Sequence, residues 1–268
     1  MLFIQFDIKS VVSNDMLLIE VYNFYEFILK GSGEKTMIYK YAENKNYEDF
    51  ASGRVLYGHK GVTNFPVRLS QEIFRRCLEY SYKKKDIVLY DCCCGTGYML
   101  TVLGFLNQGI ISSLIGSDIN KEFLEIAGKN LSLLSYDGIE NRIRELEDLV
   151  EHFNKQSHKD ALASANKLKE LIVREIHTEI FQADIYDLKS LYFKPDIIMA
   201  DVPYGDMVNW EGVDGSVDSL LDSLYSLCEE HTIIGLCMSK KQKVTNNPFK
   251  LLEKQNVGKR KFVILNKS

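Results

Sequence analysis

No stretch of this 268-residue sequence stays apolar for the ~20 residues that a membrane helix needs. The nearest approach, "MLLIEVYNFYEFIL", is broken by Glu20 and Glu26, so no transmembrane segment is expected. The N-terminus lacks the positive start, apolar run and small-residue cleavage site of a secretion signal. The six cysteines follow no regular spacing. Together these features predict a reducing, cytoplasmic setting. Cys92, Cys93 and Cys94 are adjacent, whereas zinc ligands are spaced by about two to four residues so that their side chains converge. Neighbouring side chains of an extended segment point to opposite faces, so the triplet reads as small buried strand-end residues and no metal is expected. Two nucleotide-binding signatures are also missing. The glycine pair Gly95 and Gly97 has Leu100 where a dinucleotide fingerprint requires a third glycine, and no Gly-Lys-Ser/Thr phosphate loop follows.

What is present suffices for a large core: 46% of residues are hydrophobic. The net charge of −4 conceals an uneven distribution. Residues 53–85 carry eight Lys/Arg against Glu72 and Glu79, and residues 239–268 carry nine against Glu253 alone. Basic stretches on an otherwise acidic chain suit a polyanionic partner such as nucleic acid; the bland alternative is solvated lysine on loops.

From residue 86 onward, short β-branched runs alternate with helical patterns, as in a mostly parallel sheet with helices on both faces. The runs are "DIVLYD", "SSLIGSD", "TEIFQAD", "PDIIMAD", "TIIGLCM" and "RKFVIL". Helices are expected near 66–82, 97–108, 120–134, 216–230 and 247–256. With one strand after the last helix, the sheet has six or seven strands. Two further helical patterns over about 138–175 read as an inserted helical hairpin, which serves equally as a solvated arm, a dimer contact or an RNA grip. Residues 1–36 have no clear place in this scheme. "GSGEK" just before Met37 corresponds to a purine-rich coding run, what a ribosome-binding site looks like when translated, so Met37 is the expected start of the 37–268 domain. The alternative is an amphipathic helix around 16–29.

Four of the runs end on an aspartate: Asp91, Asp118, Asp184 and Asp201. Ligands of open α/β sheets bind beyond the carboxyl ends of the strands, so these four are candidates to line one cleft; singly, each is as readily a helix cap or turn residue. In "DCCCGTGYML", Gly95 and Gly97 permit a tight turn and close ligand approach ahead of a helix N-terminus. Asp118, ending the next strand, is placed to accept hydrogen bonds from a ribose diol. A glycine turn without a pyrophosphate signature, followed by such an acid, suits S-adenosylmethionine. Asp184 is then expected at the adenine amine, and Asp91 lines the same pocket.

"DCCCGTGYMLTVLG", "GSDIN", "ALASANKL", "DVPYGDMVNWEG" and the upstream "ASGRVLYGHKGVTNFPVRLSQEIFRR", in this order, resemble the AviRa family of avilamycin-resistance rRNA methyltransferases. The resemblance runs from about Met37 to the C-terminus. It implies a Rossmann-like class I methyltransferase fold, with S-adenosylmethionine as methyl donor and a guanine base of large-subunit (23S) rRNA, free or in a ribosomal particle, as acceptor. Tolerance of orthosomycins such as avilamycin is the implied phenotype.

"DVPYG" looks like the acid-Pro-Pro-aromatic turn of enzymes that methylate planar nitrogens. Asp201 and a backbone carbonyl held by Pro203 are expected to accept the acceptor's N–H hydrogens, with positioning doing most of the work. Tyr204 is expected to stack on the flipped base, Gly205 to let the backbone turn away, and Trp210 to cover the other face or anchor the core. Arg68, Lys259, Arg260 and Lys261 are the basic residues expected at the RNA. The same turn serves adenine or a protein glutamine, and a ribosome-assembly factor with a vestigial pocket would read alike.

Overall fold

The computed structural model describes residues 37–188, 190–202, 217–244 and 248–267. Seven strands form one sheet: β1 (Ile87–Asp91), β2 (Ile111–Asp118), β3 (His177–Gln182), β4 (Ile197–Asp201), β5 (Ile233–Ser239), β6 (Lys250–Val257) and β7 (Arg260–Asn266). Their order is β3-β2-β1-β4-β5-β7-β6. Neighbours are parallel except that β7 runs antiparallel to both β5 and β6. The order reverses between β1 and β4, which makes their carboxyl ends the topological switch point where such sheets bind ligands.

Helix α1 (Val67–Tyr80) follows Pro66, whose fixed φ suits a helix start, and buries Leu69, Ile73, Phe74 and Cys77 on one stripe. Helix α2 (Tyr98–Leu106) is buried on all sides, consistent with its almost wholly apolar sequence. Helix α3 (Lys121–Ser132) is capped by Asn120, whose side chain accepts from the amides of Glu122 and Phe123. Helices α4 (Tyr136–Phe153) and α5 (Gln156–Glu170) form the inserted hairpin. Helix α6 (Val217–Leu227) precedes β5.

The sheet separates two cores. α1 to α5 pack on one face, over Leu89, Leu114, Met199 and Ile264. The other face, over Ile115, Ile198, Leu236 and Leu265, is covered by Leu220, Leu221 and Leu224 of α6 and by an aromatic group. Tyr90 lies parallel to Phe181 at 6.3 Å, and Phe193 meets both edge-on. Leu220, Leu221 and Leu224 are fully buried, and each contributes ~1.5–3 kcal/mol relative to exposure.

The sequence expectation of a helix at 247–256 is corrected. Lys250–Val257 is strand β6, so a complete terminal hairpin follows α6. Leu, Glu, Lys and Gln favour helices in isolation, but pairing with β7 outweighs that preference, and charged side chains suit an edge strand.

The helical hairpin is docked on the rest of the domain. Its Arg142 donates to the carbonyls of Val55 (3.0 Å) and Arg54 (3.3 Å) while lying over the Tyr57 ring, and Ser164 donates to Asp49 (2.6 Å). A second clamp holds residues 37–44. The buried Glu72 carboxylate accepts from the amides of Lys40, Tyr41 and Ala42 at 2.8–2.9 Å and from Arg76 at 2.7 Å. Arg76 also reaches Glu253 on β6, and the Met37 amide donates to the Asn256 carbonyl.

Candidate functional site

The site grows from the ends of β1, β2 and β4. After Asp91 the chain turns through residues 92–97 into α2. Gly95 and Gly97 have φ of +52° and +69°, the left-handed region open to glycine at little cost. Their surroundings differ. A Cβ on Gly97 would stand 3.0 Å from Ala127 of α3, so this glycine serves helix packing. A Cβ on Gly95 would meet nothing within 4 Å; that backbone faces open space, as a cofactor cradle must. Asn130 of α3 fixes the turn from below, donating to the carbonyls of Thr96 and Tyr57.

Asp118 is built into this turn. One carboxylate oxygen accepts from the Gly95 amide (2.8 Å) and the other from Asn120 (2.9 Å). A carboxylate offers about four lone-pair sites, so capacity for a diol remains. β3 ends at Gln182, two residues before Asp184, and the Ala183 amide donates to the Asp118 carbonyl. Asp184 thus sits beside Asp118, with its carboxylate accepting from Tyr186 in a local turn.

Asp91 is buried, and burial pushes its carboxyl well above the usual range. The Cys93 amide opposes that shift, and the nearby charges of Asp118 and Asp201 add to it. Cys92 and Cys94 are buried and Cys93 half-buried. Among the described residues no group of His, Cys, Asp and Glu has the arrangement of a metal site.

Asp201 pairs across the sheet with Cys237 of β5 and lies 3.5 Å from the Arg260 guanidinium of β7. Burial lifts its carboxyl from 3.8 to about 6, with Arg260 and the Cys237 thiol pulling the other way. Its Oδ1 is buried without a hydrogen-bond partner among the described residues. A buried acceptor without a donor is costly, of order 1–3 kcal/mol, and calls for a donor from outside.

The structure therefore brings Asp91, Gly95, Gly97, Asp118, Asp184, Asp201 and Arg260 to one edge of the sheet. It does not bring Arg68 into play as a free cation, since that guanidinium lies over Tyr39 and donates to Ala42 and Asn44. Lys261 is a correction: it is nearly buried, and its Nζ donates to the Gln242 carbonyl. Successive β7 residues alternate faces, so Arg260 and Lys261 cannot present one basic surface. Lys259 is exposed in the turn, where its carbonyl receives the Lys240 amide. Pro203, Tyr204, Gly205 and Trp210 lie outside the described residues, as does 1–36. Sequence reading missed Glu72, Asn130, Arg142 and Phe65. Glu72 alone left a signal, a carboxylate on the apolar stripe of α1 three residues after Leu69.

A sequence model of the family described as rRNA methyltransferase AviRa matches residues 37–260. The 23S rRNA (guanine(2535)-N(1))-methyltransferase of Streptomyces viridochromogenes is 36% identical over 238 residues, 85% of this chain and 95% of that protein. The solved structure of rRNA methyltransferase aviRa from the same organism at 1.5 Å superposes with a TM-score of 0.79 and 35% identity, over 86% of this chain and 97% of the other. A second structure of it, at 2.4 Å, gives a TM-score of 0.77. With the match spanning nearly the whole sheet and its inserted hairpin, the chain belongs to the AviRa family of rRNA methyltransferases.

Proposed function

We propose that the protein transfers a methyl group from S-adenosylmethionine to N1 of a guanine in 23S rRNA. The observation that carries this reading is Asp201, a carboxylate at the switch point with an unpartnered buried oxygen and a pKa brought near neutrality. Guanine N1 bears a hydrogen, and its lone pair is delocalised into the ring. A base that removes that hydrogen as the new bond forms makes N1 a competent nucleophile, and a base serves best with a pKa near the working pH. The guanine specificity of the Streptomyces relative supports the same choice.

The residues that fit S-adenosylmethionine are Gly95, whose missing Cβ leaves an open cradle, and Asp118, whose carboxylate retains acceptor sites for a ribose diol; Asp184 is assigned to the adenine amine and Asp91 to the pocket wall. When bound, this donor supplies a methyl group on a sulfonium that leaves as a neutral thioether. Asp201 takes the N1 proton through Oδ1. The exposed lysines Lys241 and Lys243 after β5 and Lys259 in the β6–β7 turn suit RNA phosphates, which position the substrate without specifying sequence. An rRNA substrate implies a cytoplasmic protein, in keeping with the lack of any membrane-length apolar helix among the described residues. The domain that does this begins at Met37, where the family match also begins.

The test is nucleoside mass spectrometry of rRNA from cells with and without the protein, against standards for N1- and N2-methylguanosine. N1-methylguanosine in the large-subunit RNA is the expected gain, with tolerance of orthosomycins where the methyl lies in the drug's site. A methyl group on adenine, on DNA or on protein overturns the assignment.

A further inference from the structure

The guanidinium of Arg260 lies between two groups from distant parts of the chain. Its central carbon stands 5.2 Å from the centroid of the Phe65 ring, and Nη1 is 3.5 Å from Oδ2 of Asp201. Phe65 is buried and precedes Pro66, so its backbone is restricted to extended conformations and its ring is a fixed floor. A cation over an aromatic face is held electrostatically. The opposite oxygen of Asp201, Oδ1, has no hydrogen-bond partner among the described residues. One oxygen is thus occupied by a cation and the other left to an incoming donor.

We propose that Arg260 is a positioning residue for methyl transfer: seated on Phe65, it orients the Asp201 carboxylate through Oδ2 so that Oδ1 faces the guanine N1 hydrogen. This rests on the reading of Asp201 as the base, and it replaces the sequence expectation that Arg260 grips RNA phosphate. Among the described residues, three groups face the Asp201 carboxyl: Arg260 from β7, the Cys237 thiol from β5 and the Asp91 carboxyl from β1. Arg260 is the cation among them. In the step itself, the proton on N1 passes to Oδ1 while N1 forms the bond to the methyl carbon and the methyl–sulfur bond breaks. Asp201 has to enter that step ionised, which burial opposes and Arg260 favours.

The experiment is single-turnover methylation of a 23S rRNA fragment as a function of pH. It compares the wild-type chain with Arg260→Met, Arg260→Lys, Phe65→Leu and Asp201→Asn. Removing the cation should move the acid limb of the rate profile upward by about one pH unit, a rate loss of about tenfold at any pH below both limbs. Arg260→Lys should keep the limb within a few tenths of wild type, because charge is restored without the planar stack. Phe65→Leu should lie between the two. S-adenosylmethionine affinity by calorimetry and the salt dependence of RNA binding should not change in Arg260→Met. An unmoved acid limb overturns the inference. So does a salt slope lowered by about one, the mark of a lost phosphate contact. Should Arg260→Met fail to fold, an acid limb displaced equally far in Arg260→Lys is the overturning result. Asp201→Asn separates the two claims: if it still methylates, the base assignment fails whatever Arg260 does.

Discussion

Replacing Asp201 by Asn should make the protein more stable, and by an amount that depends on pH. The folded-state pKa of Asp201 is raised from 3.8 to about 6, chiefly by burial. A carboxyl raised in this way favours folding fully only below about pH 4, and that favour is lost as pH climbs through 6. A shift of about two units is worth about 3 kcal/mol at 1.36 kcal/mol per unit, an upper figure because the side chain is 28% exposed. Asn is neutral throughout and keeps the advantage. Linkage gives the gap between variant and wild type as about 1.6 kcal/mol at pH 5 and about 3 at pH 8, a widening of about 1.4 kcal/mol. At about 2–4 °C per kcal/mol for a domain of this size, the difference in melting temperature should grow by roughly 3–6 °C between those pH values. Any pH-independent effect of the amide cancels in that double difference. The assay is thermal denaturation of both proteins at matched ionic strength, followed by circular dichroism. A gap equal at pH 5 and pH 8 would falsify the claim that this carboxyl is held near neutrality, and with it the argument for a base at β4. The same variant should be unable to methylate, so stability and activity part at one residue.

The two turn glycines should fail differently. Gly95→Ala costs about 1 kcal/mol for a left-handed alanine yet folds and loses cofactor affinity by calorimetry, whereas Gly97→Ala adds a clash with Ala127 and should first appear as a lower urea midpoint. Normal S-adenosylmethionine binding by Gly95→Ala would remove the cradle. Glu72→Gln points an amide NH2 at backbone donors and should cost about 3 kcal/mol, with faster hydrogen exchange over residues 37–44. Its carboxyl is held below the usual range because three backbone amides and Arg76 outweigh burial, so the Glu72 contribution is present at neutral pH and fades only in acid. Replacing Lys241, Lys243 and Lys259 together should lower the slope of log affinity against log salt by roughly one per lost phosphate contact; an unchanged slope puts the RNA elsewhere. A chain beginning at Met37 should fold and methylate like the full sequence, and loss of soluble protein in that truncation would assign residues 1–36 to the structure.

The strand ends were legible because β1, β2 and β4 are each a short run with an apolar centre that stops at an acid. That pattern marks Asp91, Asp118 and Asp201 without knowledge of the fold. The glycine turn was legible for the same local reason. The hairpin at β6 was not, since "KLLEKQNV" has the composition of an amphipathic helix and becomes a strand only because β7 offers it a row of backbone partners. Period-two alternation was available for "KRK" at 259–261, and applying it would have split Arg260 from Lys261. The Arg68 contacts with Tyr39 and Asn44, the Asn130 bridge to Tyr57 and the Phe65–Arg260 stack join residues far apart in sequence. No window of residues contains both partners.

β7 inserts between β5 and β6 and is the last of the described strands in chain order, yet it carries the cation that faces Asp201, and β6 beside it carries the carbonyl that receives Met37. During synthesis, β1 to β5 are made before β6 and β7. Until they follow, β5 has an open edge, the clamp on residues 37–44 lacks its β6 contacts, and the Asp201 carboxyl lacks the Arg260 cation. A nascent chain can therefore form its glycine turn early, whereas the cation beside Asp201 arrives only when β7 pairs with β5.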